Sequence, residues 1–453
     1  MRAYRAGLVA AAALALSGCV AAGPGAPPDR DAISLPASLP EMARFGAAQP
    51  EPPRRPNAQI ARDFLDLSFQ MESGRQLLTM SRFEGPITVA VAPGAPPTLL
   101  ADLDALLARL RMEAGIDIRR VSGERASITI ETLPRARMQR IVPQAACFVV
   151  PRVSSWAEFR RARNSGLIDW TTLDVREQAA VFIPSDVPPQ EIRDCLHEEI
   201  AQAIGPLNDL YHLPDSVFND DNFHAVLTGF DMLILQVYYD PALGRGTTRE
   251  AAAAQLPAIL ARLNPRGGRG SAGAVPPTPR GWVQRIEAAL GRGAPPLIRL
   301  RAVEEAVIIA EQRGWRDARL GFSYFALGRL SLGRPDSTAI IAFNRAADIY
   351  RRIDADGVQL AHVNMQLAAF ALSTGDPQTA LDLTGQSLGA AIAGENASLL
   401  ATLLMIRAEA LDDLGRSDEA ATVRMDSLRW ARYGFGDAAA VAERLSEIAS
   451  LSP

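Results

Sequence analysis

Apolar and polar residues follow two different periods along the chain. The runs Ile116-Asp-Ile-Arg-Arg-Val121 and Ala126-Ser-Ile-Thr-Ile-Glu131 alternate with a period of two, as half-buried strands do. A helical segment over about 97–114 precedes them, and Ala146-Cys-Phe-Val-Val150 reads as a further strand. Later the period becomes helical. Segments 297–312, 317–332, 337–353, 358–373, 377–391, 398–414 and 417–433 carry alanine and leucine at helical spacing, divided by short Gly-Asp or Gly-Arg turns. Two stretches have no period. Residues 20–58 are dense in Pro, Ala and Gly and bury too little apolar surface to offset their ordering entropy, so they read as a flexible tether, with folding expected to begin near Ile60. Residues 264–280, rich in Gly, Pro and Arg, read as a domain boundary.

At the N-terminus Arg2 and Arg5 precede a short apolar run, Gly7 to Leu14, and Leu16-Ser17-Gly18-Cys19 is similar to a bacterial lipobox. Cleavage there would leave Cys19 as the lipidated first residue; a plain secretory signal is the alternative. The run is too short to span a bilayer as a mature helix. Val20 after the lipidated position, in place of Asp, favours the outer membrane under the sorting rule of such lipoproteins. The expected organisation is 1–18 signal peptide, 19–59 tether, 60–263 first domain, 264–282 linker and 283–453 helical domain.

Composition fits two ordinary cores. The chain has 453 residues, 48% hydrophobic, with a formal charge of −4, and it shows no basic footprint for nucleic acid. The sequence has no lysine, so its basic side chains besides histidine are all arginine, and the cluster Arg160-Arg161-Ala-Arg163 reads as a solvated helix face. There are three cysteines. With Cys19 spent on lipid, Cys147 and Cys195 make an even pair in an oxidising compartment. A bridge between them would pin a helix to the sheet and contribute about 4 kcal/mol by loop closure; metal-binding thiols are the alternative.

The candidate chemistry lies in Glu198-Glu-Ile-Ala-Gln-Ala-Ile-Gly-Pro-Leu-Asn-Asp-Leu210. It resembles the metzincin zinc motif H-E-x-x-H-x-x-G-x-x-H with its ligands replaced. Counting from Gly205, Glu198 and Gln202 stand at the first two ligand positions, Glu199 at the general base and Asn208 at the third ligand. His197 lies about 100° round the helix from Glu198 and has Ala201 at i+4, so it does not replace the first ligand. Downstream, Leu213-Pro-Asp-Ser-Val-Phe218, Leu227-Thr228, Asp231 and Tyr238-Tyr239-Asp240 resemble the matrixin branch, where a Pro-Asp-Ser-x-Met turn floors the metal; Phe218 stands in place of the methionine. The likeness covers roughly 60–265 and is similar to that of alphaproteobacterial envelope proteins of unassigned function. The fold class it implies is an α+β zincin-like domain, a mixed sheet with an active-site-type helix. In the helical part, turn glycines Gly333, Gly375 and Gly415 recur at intervals of 42 and 40 residues. The units around Ala368, Ala380, Ala408 and Ala420 resemble tetratricopeptide repeats; an alanine-rich bundle is the alternative.

The ligand set implies no zinc. Rescue by His197, His212 and His224, with Glu199 as base, would be a zinc peptidase that abandons the motif geometry. The oxygen-only set Glu198, Gln202, Asn208 and Asp209 suits a hard cation weakly, and Asn219-Asp-Asp-Asn222 adds to that possibility or is simply a surface turn. Without metal, Glu198, Glu199 and Gln202 are expected to hydrogen-bond with Asn208, Asp209, Ser216 and Thr228, leaving a groove for an extended peptide, since metzincins add substrate as a strand. The functional expectation is a lipid-anchored periplasmic scaffold that binds an envelope protein through its repeats, without cofactor.

Overall fold

The computed structural model describes residues 39–46, 51–123, 125–268, 273, 275–291 and 293–452. Cys19, the signal segment and most of the expected tether lie outside them. Among the described residues no helix is long and apolar enough to cross a membrane.

The first part is built from α1 (Asn57–Ser68), β1 (Ile87–Val91), α2 (Pro97–Glu113), β2 (Ile118–Arg120), β3 (Ile128–Leu133), α3 (Arg135–Gln139), β4 (Phe148–Pro151), α4 (Trp156–Ala162), β5 (Ala179–Pro184), α5 (Pro189–Ile204), α6 (Gly229–Tyr238) and α7 (Arg249–Leu263). Its sheet has the order β2-β1-β3-β5-β4. Four strands run parallel, and β4 pairs antiparallel with β5 at the edge, Val149 opposite Val181. β5, Ala-Ala-Val-Phe-Ile-Pro, is buried at every position, because a strand covered on both faces has no reason to alternate. Val181 and Ile183 join a core with α2 and α5, whereas Ala180 and Phe182 face Trp156 and Phe159 of α4. The disulfide shows the same economy. Cys147, entering β4, and Cys195 of α5 are bridged with Cα atoms 5.9 Å apart across 48 residues of sequence, a loop closure of about 4 kcal/mol.

Beyond residue 279 come α8 (Arg280–Leu290), α9 (Pro296–Gln312), α10 (Ala318–Leu330), α11 (Thr338–Ile353), α12 (Val358–Ser373), α13 (Pro377–Ala393), α14 (Ala397–Asp413), α15 (Ser417–Phe435) and α16 (Ala438–Ala449). The pairs α10–α11, α12–α13 and α14–α15 are hairpins. Each turns at Gly333, Gly375 or Gly415, with φ of 78°, 74° and 74°, the left-handed geometry that ends a helix and that glycine adopts without a Cβ clash. Ala368, Ala380, Ala408 and Ala420 are fully buried, so small side chains stand where paired helices approach.

The two parts interlock. Tyr211 and Phe223, from the loop after α5, belong to the core of the helical domain. The Tyr211 ring lies 5.0 Å from that of Trp282, and Phe223 lies 5.0 Å from Phe325 and 5.1 Å from His362. Polar contacts reinforce the joint: Arg193 pairs with Glu395, Gln190 Oε1 accepts from the Ala397 N–H at 2.8 Å, and the Tyr433 hydroxyl donates to Asp102 at 2.7 Å. Part of the stretch expected to be a free tether is docked as well. The Ala43 N–H donates to Arg429 O at 3.1 Å, Arg432 donates to Pro40 O at 2.8 Å, and the Phe45 and Trp430 rings lie 4.5 Å apart. Residues 39–46 therefore lie along α15.

Candidate functional site

Helix α5 starts with Pro189 at its first position, where the missing N–H costs nothing. Its far end is finished by a residue distant in sequence. Arg176, 3% exposed, donates to Gln202 O and Ala203 O at 2.8 Å and to Gly205 O at 2.7 Å. One cation thus meets the orphan carbonyls and the negative end of the helix dipole. Gly205 is required by space: a Cβ there would meet Leu235 Cδ2 at 2.6 Å and Ala201 O at 3.0 Å. Its role is close packing against α6 as the chain leaves the helix.

The Pro-Asp-Ser-Val-Phe turn and α6 are tied by one carboxylate. Asp231 accepts from Ser216 Oγ at 2.5 Å, Val217 N–H at 3.1 Å and Thr228 N–H at 2.8 Å, completing a capping box with Thr228. Phe218 is fully buried in the core shared with α5.

The expected hydrogen-bond network around the motif does not form. The Asn208 amide donates to Asp66 O at 2.9 Å, Ser216 and Thr228 are committed to Asp231, and Asp209 is hydrogen-bonded to Glu72. Glu72 comes from the turn after α1 and was not among the sequence candidates. Gln202 is buried on the same helix. Glu199, 2% exposed, sits against the Val149 N–H of edge strand β4, which opposes a rise in its pKa driven by burial, Glu198 and Asp209. Leu207, Met71, Trp170 and Leu173 form a cluster with Val149.

Nor do the histidines gather. His197 Nδ1 accepts from the Leu227 N–H at 3.1 Å, and burial, with Arg193 and Arg109 nearby, holds its pKa well below the usual value. His212 Nε2 faces Asp63 at 3.0 Å. His224 Nε2 lies 3.0 Å from Pro214 O and 3.2 Å from Gln359 Nε2 of the helical domain. Among the described residues, the one group with metal-ligand spacing is Cys147, Glu198 and Glu199, with ligand atoms within 4.8 Å of one another. Its sulfur is consumed by the bond to Cys195. The residues present do not fit a catalytic zinc.

What remains at the motif is a cavity of about 370 Å³ where the two domains meet. Glu191, Asp194, Cys195 and Glu198 of α5 line one side, and Ala440, Glu443, Arg444 and Glu447 of α16 line the other. Burial pushes Asp194 up to about 8, with Glu191 adding to the rise and the Gln190 amide opposing it. Burial likewise carries Asp221 to about 8 and Asp231 to about 6, and raises Glu72, Glu198, Glu199 and Asp220 well above the carboxylate range. A carboxyl with a folded pKa above its unfolded value near 4 stabilises the fold fully below that value. This contribution is lost as pH rises through the folded pKa. The melting temperature is therefore expected to fall between pH 5 and pH 8.5, with a shallower slope in Asp194→Asn; calorimetry across that range checks both, and a rising melting temperature would contradict the assignment.

Residues 57–258 match the model of a family described as a protein of unknown function (DUF2927). The chain thus carries a DUF2927 domain with a mixed five-stranded sheet, followed by an all-helical domain. No curated protein matches the chain, and no solved structure does.

Proposed function

We propose that this is a lipid-anchored binding or scaffolding protein of the periplasmic side of the envelope, its first domain a metzincin-like fold without peptidase activity and its second a set of tetratricopeptide-like hairpins. The carrying observation is the fate of the motif: His197, His212 and His224 are engaged at three separate places, and Glu199 sits against the edge strand beside Glu198 and a Cys147 whose sulfur is bonded to Cys195. A mixed sheet with a lone antiparallel edge strand and a motif helix turning at Gly205 supports the zincin-like reading. Small residues at the hairpin crossings support the repeat reading. Lipidation at Cys19 and an outer-membrane location rest on the lipobox resemblance alone.

Deleting the helical domain would leave Tyr211 and Phe223 without their core, so the test keeps the full chain. Affinity capture from detergent-solubilised envelopes is expected to recover a specific protein partner, and Glu199→Gln is expected to recover the same one, having no metal-bound water to lose. Cleavage of an envelope protein by the natural chain, abolished in Glu199→Gln, would replace this reading with a metallopeptidase.

A further inference from the structure

A second, smaller cavity of about 30 Å³ adjoins the first and shares Ser398, Phe435 and Arg444 of its wall. It lies among α10, α12 and α14, the first helices of the three hairpins, and α16 closes it. None of the described residues lining it is a carboxylic acid. Its charged groups are Arg329 of α10 and Arg444 of α16. Arg444 has a counter-ion, Glu447 at 2.9 Å. Arg329 has none: among the described residues it makes no hydrogen bond and no ion pair, and its Nη1 is closed off from solvent without a partner. Its guanidinium lies 5.9 Å from the Phe325 ring, a weak partner for a charge taken out of water.

A second donor meets the same cavity. His362, 1% exposed, lines it from α12, its ring packed against Phe223 and Phe325. Burial, with Arg329 and His224 nearby, pulls its pKa down to about 3, so the ring is neutral at pH 7 and carries one N–H. Its Nε2 lies 3.5 Å from the Asn396 amide nitrogen, which is a donor, and this leaves the ring proton on Nδ1. Nδ1 is buried without a partner. The wall thus holds two N–H donors without acceptors, one of them charged, beside a second guanidinium. Water would accept from both donors yet leave the Arg329 charge uncompensated, whereas an anion meets donors and charge together. Size sets the rest. One water needs about 10–15 Å³ of such space, so this cavity admits a halide or a single carboxylate group, and a polyhydroxy acid is too large.

We propose that the cavity among α10, α12, α14 and α16 binds one small monovalent anion, a halide or a single carboxylate group, held by Arg329 Nη1 and His362 Nδ1 with Arg444 as a second positive charge. The site is separate from the motif and does not depend on the scaffold reading. A halide from solution and a carboxylate-bearing small molecule present the same chemistry to it.

The test is thermal melting of the full chain in detergent in sodium gluconate, chloride, bromide and formate at one ionic strength, with anomalous diffraction from bromide-soaked crystals of the natural chain. Melting is read as the difference between the natural chain and Arg329→Met, which cancels each salt's general effect on a folded protein. The natural chain is expected to gain over Arg329→Met, saturably, in chloride, bromide or formate and not in gluconate. A bromide peak is expected within hydrogen-bonding distance of Arg329 Nη1 and His362 Nδ1. His362→Phe keeps a ring between Phe223 and Phe325 but removes the donor, and is expected to weaken the apparent affinity about tenfold or more. A larger gain in formate would assign the site to carboxylate-bearing molecules and a larger gain in the halides to a halide; either supports the inference. The same difference in all four salts, or bromide found only elsewhere, would overturn it and leave a hydrated arginine. The diffraction arm uses the natural chain alone, so it decides the matter even where a variant fails to fold.

Discussion

Replacing Phe223 by alanine is expected to cost about 3–5 kcal/mol, the usual range for removing a buried phenylalanine, and to separate the melting of the two domains. Phe223 is 2% exposed, yet it comes from a loop of the first domain. Its ring is packed among Phe322, Phe325, Tyr350 and His362 of the helical hairpins. Leu or Met at this position, which would keep most of the buried volume, should restore much of the loss. The readout is calorimetry: one joint transition in the natural chain and two in Phe223→Ala. A single transition with an unchanged midpoint would mean that the aromatic anchor does not join the domains.

Arg176→Ala is expected to be comparably severe, at about 3–5 kcal/mol. Three carbonyls at the end of α5 lose their donor, each left unmet at about 1–3 kcal/mol before relaxation. The Tyr238 hydroxyl, 3.1 Å from Arg176 Nη2, and the Trp170 ring, 5.1 Å from its guanidinium, lose a neighbour too. The damage should be local first. Amide exchange over 202–205 is expected to accelerate more than exchange in β3 or β5, whereas uniform acceleration would point to a general loss of stability rather than a lost helix end. Lysine should rescue poorly, because a single ammonium cannot reach three carbonyls in the fork geometry of arginine.

These two residues also mark where sequence reading stopped. Local patterns transmitted well: the alternation at 116–121 and 126–131 became β2 and β3, and the helical period beyond 296 became α9 to α15 within a few residues. The turn glycines were equally visible, because turns are solved by neighbours in the chain; Thr228, expected to reach the motif, instead caps α6 with Asp231. β5 escaped, since a strand buried on both faces has no alternation to read. Arg176, Glu72, Tyr211 and Phe223 escaped for another reason: their partners are 26 to 137 residues away, and no local period reports such contacts. Tyr211 and Phe223 gave no separate signal, because the same loop also carries Leu207, Leu213, Val217, Phe218 and Leu227, which pack into the first domain instead. The motif itself was legible as a register, Glu198, Glu199, Gln202, Gly205 and Asn208, but its partners were not. Asn208 turned to Asp66, and Asp209 turned to Glu72.

The central claim is that the motif has exchanged metal chemistry for binding, and the most direct measurement is the zinc content of the full chain purified without added metal at neutral pH. With Glu198, Gln202 and Asn208 where the proposed metzincin-like register would put the ligands, and Cys147 held in a disulfide, no stoichiometric zinc is expected, and none should be retained after zinc is added and the protein is passed through a desalting column. One tightly held zinc per chain, lost in His197→Ala or His224→Ala, would contradict the account.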